Sequence, residues 1–99
     1  MSNSEMAIQP KLNLIEPPLF KVIYVNDNQT SMQFVIDSLI EHFHYTNITA
    51  ERIANTIHSE GAAVAAILPF EIAEQKGIEV TANARKNGYP LQVRLEQEK

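Results

Sequence analysis

Apolar residues along this chain change their spacing several times, and each change marks the end of one element and the start of the next. Residues 19–25, LFKVIYV, are rich in aromatic and β-branched side chains, which predicts a strand. The polar cluster Asn26-Asp27-Asn28-Gln29 predicts a turn. From Ser31 to about His44 the apolar residues fall at Met32, Val35, Ile36, Leu39, Ile40 and Phe43, the spacing of one helix face. Thr30 suits the cap of that helix, and Gln33 three residues on would complete a capping box. Thr46-Asn47-Ile48 reads as a connector. Thr49 suits the cap of a second helix from Ala50 to about Glu60, buried through Ile53 and Ile57, with Gly61 where a left-handed C-cap residue is expected.

The next run, AAVAAIL from Ala62 to Leu68, is continuously apolar. It suits either a strand buried on both faces or a continued helix, and the bracketing Gly61 and Pro69 favour the strand. Ala73, Gly77, Val80 and Ala84 share one face of a third helix from about Phe70 to Asn87, which Gly88 and Pro90 end. Leu91, Val93 and Leu95 then alternate with Gln92, Arg94 and Glu96, the pattern of a strand with one wet face. The expected order is β-α-α-β-α-β. It predicts an α+β fold, a two-layer α/β sandwich with a three-stranded sheet packed against three helices.

Residues 1–16 lack a sustained period and are closed by Pro17-Pro18, so they read as a flexible N-terminal extension ahead of a core over 17–99. Met1-Ser2-Asn3-Ser4-Glu5 lacks the basic and apolar regions of a secretion signal, and no run approaches the roughly 20 apolar residues of a membrane span. A cytoplasmic protein is expected. Twelve acidic against eight basic side chains give a net charge of −4, and the cations are scattered. That distribution argues against a phosphate-backbone binder. The absence of cysteine excludes disulfides and thiol nucleophiles.

Catalytic patterns are missing too: there is no glycine-rich phosphate loop and no Gly-x-Ser-x-Gly elbow. His42 and His44 stand two apart on a predicted helix and so face different ways, while His58 is alone on its own; no metal or cofactor is expected. The unusual feature is Asn26-Asp27-Asn28, which gathers acceptor oxygens just beyond a buried strand. An ammonium group offers three donors and no acceptor, so these side chains would suit a protonated amine at the mouth of an apolar pocket. They suit a plain turn and helix cap as well. His58 has the same two readings, as an acceptor for an amine or as a histidine drawn to a helix C-terminus by the dipole.

Two segments resemble the ClpS adaptor family. PPLFKVIYVNDNQTSMQFVIDSL, residues 17–39, is similar to the family's first motif of a strand, an Asn-Asp turn, Thr-x-Met and a Phe-Val helix. AERIANTIHSEGAAVAAILPFEIAEQK is similar to its second, in which a hydrophobic-His pair precedes a glycine and a Glu-x-Ala-Glu-x-Lys helix follows. YPLQVRLE resembles its closing strand. The resemblance spans Pro17 to Glu96. It implies the same β-α-α-β-α-β sandwich and a substrate-binding adaptor rather than an enzyme. Such an adaptor binds the N-terminal peptide of proteins that begin with Leu, Phe, Tyr or Trp, the N-degrons. It passes them to the AAA+ unfoldase ClpA or ClpC, joined to the peptidase ClpP. By resemblance, Asn26, Asn28 and His58 hold the substrate's α-amine, with Asp27 in the same acidic turn. Thr30, Met32, Val35, Ile57 and Leu91 form the side-chain pocket, and Met32 rejects β-branched residues. Glu71 and Lys76 lie on the face that docks on the unfoldase's N-terminal domain. The extension corresponds to a segment that enters the unfoldase pore, and a monomer is expected when free.

Three departures from the family pattern stand out. Asn28 replaces a frequent Asp, which removes a charge from the amine site. Ala54 replaces a Met found beside the pocket in some members, which makes a roomier slot that admits Trp. Ser31 replaces a frequent proline. Two further readings remain at this point: a docking-only modulator or inhibitor of the same protease, and an interaction domain like the C-terminal domain of the ribosomal stalk protein.

Overall fold

A computed structural model describes residues 16–99. The elements are β1 (Leu19–Val25), α1 (Met32–Phe43), α2 (Asn47–Glu60), β2 (Ala62–Pro69), α3 (Phe70–Lys86) and β3 (Gln92–Gln97). This is the expected α+β order. The three strands form one antiparallel sheet in the order β2-β1-β3, with the helices packed on it. The expected extension over residues 1–16 lies almost wholly outside the described residues.

β1 is central because both neighbours pair with it along its whole length. Its side chains alternate between the two faces: Val22 and Tyr24 are fully buried under the helices. The Tyr24 hydroxyl sits 2.8 Å from Ser38 Oγ, which itself donates to the Val35 carbonyl at 2.9 Å. Burial raises the Tyr24 pKa well above its ordinary value, against the Ser38 bond that lowers it. Tyr24 therefore stays neutral and satisfied inside the core.

β2 corrects one expectation. It is a strand, but one at the sheet edge rather than buried on both faces; only Ala65 is fully enclosed, while Val64 and Ile67 are 41% and 42% exposed. Ala65 is the extra residue of a bulge, since Val22 pairs with Ala66 and Ile23 with Val64. Its carbonyl accepts from the Tyr45 hydroxyl.

The helix caps also differ from expectation. Ser31, not Thr30, caps α1, its hydroxyl accepting from Phe34 N at 3.0 Å. Gln33 does not complete a capping box and instead donates to Asp37. Thr46, not Thr49, caps α2 by accepting from Thr49 N at 3.2 Å, so the presumed connector residues Asn47 and Ile48 form its first turn. α1 ends one residue early, with His44 in the left-handed region at φ 62°.

Small residues let α3 lie close to the sheet: Ala73, Val80 and Ala84 are fully buried, and Gly77 faces Val93. A Cβ at Gly77 would sit 3.6 Å from Val93 Cγ1, an ordinary contact. Gly77→Ala is therefore expected to raise stability by about 0.5–1 kcal/mol, because it restricts the unfolded chain without a clash. A melting temperature unchanged or lowered would contradict this.

Candidate functional site

β1 ends at Val25 and the chain turns sharply. Asn26 N donates to the Gly61 carbonyl at 2.9 Å, which ties the exit of β1 to the end of α2. Gly61 can serve there because its φ of 91° suits a residue without Cβ. Its N–H closes back on the Ile57 carbonyl at 2.9 Å. The last turn of α2, with Ile57 and His58, is thereby held beside the Asn-Asp-Asn turn.

Asp27 builds that turn from inside. Its Oδ1 accepts from Gln29 N at 2.8 Å and Thr30 N at 2.7 Å, and its Oδ2 accepts from Thr30 Oγ1 at 2.8 Å. Partial burial pulls the Asp27 pKa upward. The Thr30 and Gln29 amides, the Thr30 hydroxyl and the Arg85 charge outweigh it and hold the carboxyl below its ordinary value. Asp27 is thus an anion committed to shaping the turn. The side chains of Asn26, Asn28 and His58 are exposed and make no hydrogen bond with other described residues.

Ser31 then starts α1, whose first turn brings Met32 and Val35 to the same place. Ala54, Ile57 and His58 arrive at spacings of three and four along one face of α2. Together these residues enclose a cavity of about 310 Å³, lined by Asn26, Asp27, Asn28, Thr30, Met32, Val35, Ala54, Ile57 and His58. Every lining residue is one singled out from the sequence. The wall is apolar: Val35, Ala54 and Ile57 are buried, and Met32, 38% exposed, forms the lip. The mouth carries the Asn and His groups. Such a cavity can take a large apolar side chain, worth about 1.5–3 kcal/mol on burial, while its rim accepts hydrogen bonds from a cation.

Leu91 is a correction: it does not line the cavity. It lies 1% exposed in the same buried cluster as Val35, Ala54 and Ile57, behind the wall. Arg85, which sequence reasoning passed over, seats it there by donating from Nη1 to the Tyr89 and Leu91 carbonyls, both at 2.9 Å. A cation in the last turn of a helix is the signal that could have marked it.

Glu71 and Lys76 lie elsewhere. Lys76 borders a concavity of about 380 Å³ between α1, β2 and α3, and its Nζ is 3.9 Å from Glu79 Oε1. Glu71 borders another, of about 450 Å³, beside Pro17 and Pro18. Ile72 lines both. Neither shares a lining residue with the first cavity. Among the described residues no group of His, Cys, Asp or Glu could hold a metal ion, and no helix is long and apolar enough to cross a membrane.

A small sheet-and-helix domain thus carries an apolar slot with Asn and His side chains at its mouth, and comparison with known proteins gives its family. Residues 15–94 match the family model of the ATP-dependent Clp protease adaptor protein ClpS. The chain is 39% identical over 88 residues to the ATP-dependent Clp protease adapter protein ClpS of Clostridium acetobutylicum, covering 89% of this chain and 87% of that protein. It is 38% identical to that of Nitratidesulfovibrio vulgaris over 95 residues, 96% of this chain and 93% of that one. The structure of Agrobacterium tumefaciens ClpS2 bound to L-phenylalaninamide superposes with a TM-score of 0.81 at 35% identity, covering 84% of this chain and all of that one. The chain belongs to the ClpS family of Clp protease adaptors.

Proposed function

We propose that this protein is a non-enzymatic, cytoplasmic adaptor that binds proteins beginning with Leu, Phe, Tyr or Trp and delivers them to ClpA or ClpC with ClpP. The observation that carries the reading is the cavity at the end of β1, apolar within and ringed by Asn26, Asn28 and His58. L-Phenylalaninamide, the ligand of the Agrobacterium relative, unites a free α-amine with a benzyl side chain. Those two features match the rim and the slot here. The rim recognises the end of a chain because an ammonium has three donors where an internal peptide N–H has one.

Delivery requires a second surface that is free while the first is filled. Glu71 and Lys76 meet that requirement, on concavities separate from the slot. The slot draws on the first turn of α1 and the Lys76 concavity on its last; Met32 and Phe43 are 11 residues apart, about 16 Å along the axis.

The test is fluorescence anisotropy with labelled peptides beginning with Leu, Phe, Trp or Val, on the wild type and His58→Ala. Leu, Phe and Trp peptides are expected to bind and the Val peptide is not, because its β-branch meets the Met32 lip. His58→Ala is expected to weaken binding about tenfold, the loss of one hydrogen bond to a charged group. Absence of binding by every free-amine peptide would overturn the reading and leave a docking-only modulator.

A further inference from the structure

Arg85 stands on the last turn of α3, where a cation suits the helix dipole. Its bonds go further than that role. Nη1 alone donates to the Tyr89 and Leu91 carbonyls, and both of these lie past the end of the helix. Tyr89 N also returns to the Ala84 carbonyl at 2.8 Å. The segment from Tyr89 to Leu91 is thus pinned to α3 by three hydrogen bonds, two of them from one guanidinium nitrogen.

Both ends of that segment bear on the slot. The Tyr89 ring centroid is 5.1 Å from that of Phe34, which stands in the first turn of α1 between Met32 at the lip and Val35 in the wall. Leu91 packs in the buried cluster that holds Val35, Ala54 and Ile57. Gln92, the next residue, pairs with Val25, which Asn26 follows at the mouth. The Arg85 charge reaches the mouth as well: burial raises the Asp27 pKa, the Thr30 and Gln29 bonds lower it, and Arg85 adds to the lowering. Arg85 does not line the cavity, yet the lip, the wall and the mouth each lean on something it holds.

We propose that Arg85 is a positioning residue that sets how sharply the slot discriminates among N-terminal side chains. This rests on the adaptor reading and adds to it a residue outside the cavity. Discrimination is a difference of affinities, and a surface that repacks around each ligand levels that difference. Shape is rejected only by a wall and lip whose own positions are locked by the residues behind them. With the clamp in place, Tyr89 steadies Phe34 beside the lip, and Leu91 backs the wall. Without it both supports slacken: a phenyl ring loses close contact, while a β-branched side chain gains room at Met32.

The test is competition anisotropy on the full-length chain with free-amine peptides beginning with phenylalanine or valine, at a temperature where melts show each variant folded. Arg85→Met is expected to lower the ratio of phenylalanine to valine affinity about tenfold, the scale on which residues without ligand contact modulate binding. Arg85→Lys is expected to keep the ratio within about threefold of the wild type, because one nitrogen serves both carbonyls and a lysine ammonium has three donors. If Arg85→Met does not fold, Tyr89→Leu removes the ring on Phe34 but keeps the carbonyl, and is expected to lower the ratio about threefold. Parallel losses for both peptides, with the ratio within about twofold of the wild type, would leave Arg85 a merely structural residue and overturn the inference while the adaptor reading stands. A ratio as low in Arg85→Lys as in Arg85→Met would overturn it too. A wild type that binds no free-amine peptide overturns the adaptor reading itself.

Discussion

Acetylating the α-amine of a peptide that begins with phenylalanine is expected to weaken its binding at least a hundredfold. The benzyl group is unchanged, so the apolar slot of Val35, Ala54 and Ile57 still rewards its burial. What changes is the rim. An ammonium donates three hydrogen bonds and carries the charge that strengthens each of them; an acetamide donates one and is neutral. Losing two charge-assisted bonds at about 1.5–3 kcal/mol each exceeds the roughly 2.7 kcal/mol that a hundredfold represents. The added acetyl group must also fit where Asn26, Asn28 and His58 converge. Anisotropy with paired free and acetylated peptides measures the ratio. Equal affinities would mean that the slot reads side chains alone and not chain ends.

The electrostatics of this rim are weaker than an aspartate at position 28 would make them. Asn28 offers a neutral oxygen, and the nearby Asp27 carboxylate spends both oxygens on the turn. Asn28→Asp is therefore expected to tighten binding of free-amine peptides about tenfold and to make it more sensitive to salt. Unchanged affinity would show that charge at this position does not contribute.

The architecture was legible in the sequence because its periods are strong and its boundaries are marked by chain-breaking residues. Gly61 and Pro69 bracket β2 closely, and Gly88 and Pro90 follow α3. The caps were harder to assign. Thr30-Ser31 and Thr46 to Thr49 each hold more than one residue able to cap, and local pattern cannot rank them. Tertiary structure decides: Thr30 is drawn into the Asp27 turn, which leaves Ser31 as the cap. Position in the sheet was equally hidden. A continuous apolar run implies burial on both faces, yet sheet order is set by which strands pair, and β2 pairs on one side only.

Within the site, the sequence identified all nine residues of the cavity but misjudged the depth of Leu91. Its resemblance to a pocket position and its apolar character were both real. Whether such a residue forms the wall or stands behind it depends on a carbonyl clamp from Arg85, six residues away and on a different element. No spacing rule encodes that distinction. The role of Asp27 was blurred for a related reason. An Asx turn and an amine site use the same residue types, and only the direction of the carboxylate separates them.

Asp27→Ala should accordingly damage the site by unmaking the turn, lowering stability by about 2 kcal/mol at neutral pH and weakening peptide binding more than tenfold. Three donors, two of them backbone amides, lose an anionic acceptor, and a partly buried amide without a partner costs about 1–3 kcal/mol. The pH dependence separates this mechanism from a packing defect. The folded-state pKa of Asp27 lies below its unfolded value, which for an Asp is about 3.9. Its ionised form therefore stabilises the fold fully at pH values above that unfolded pKa, and the contribution is lost as pH falls through the folded value. Wild type and Asp27→Ala should differ most in denaturant melts near neutrality and converge in acid, the wild type alone losing this increment. A gap that stayed constant down through the carboxylate range would assign Asp27 a role independent of its charge. The carboxylate would then be a spacer, and the acidity of the turn would have no part in holding Asn26 and Asn28 at the mouth of the slot.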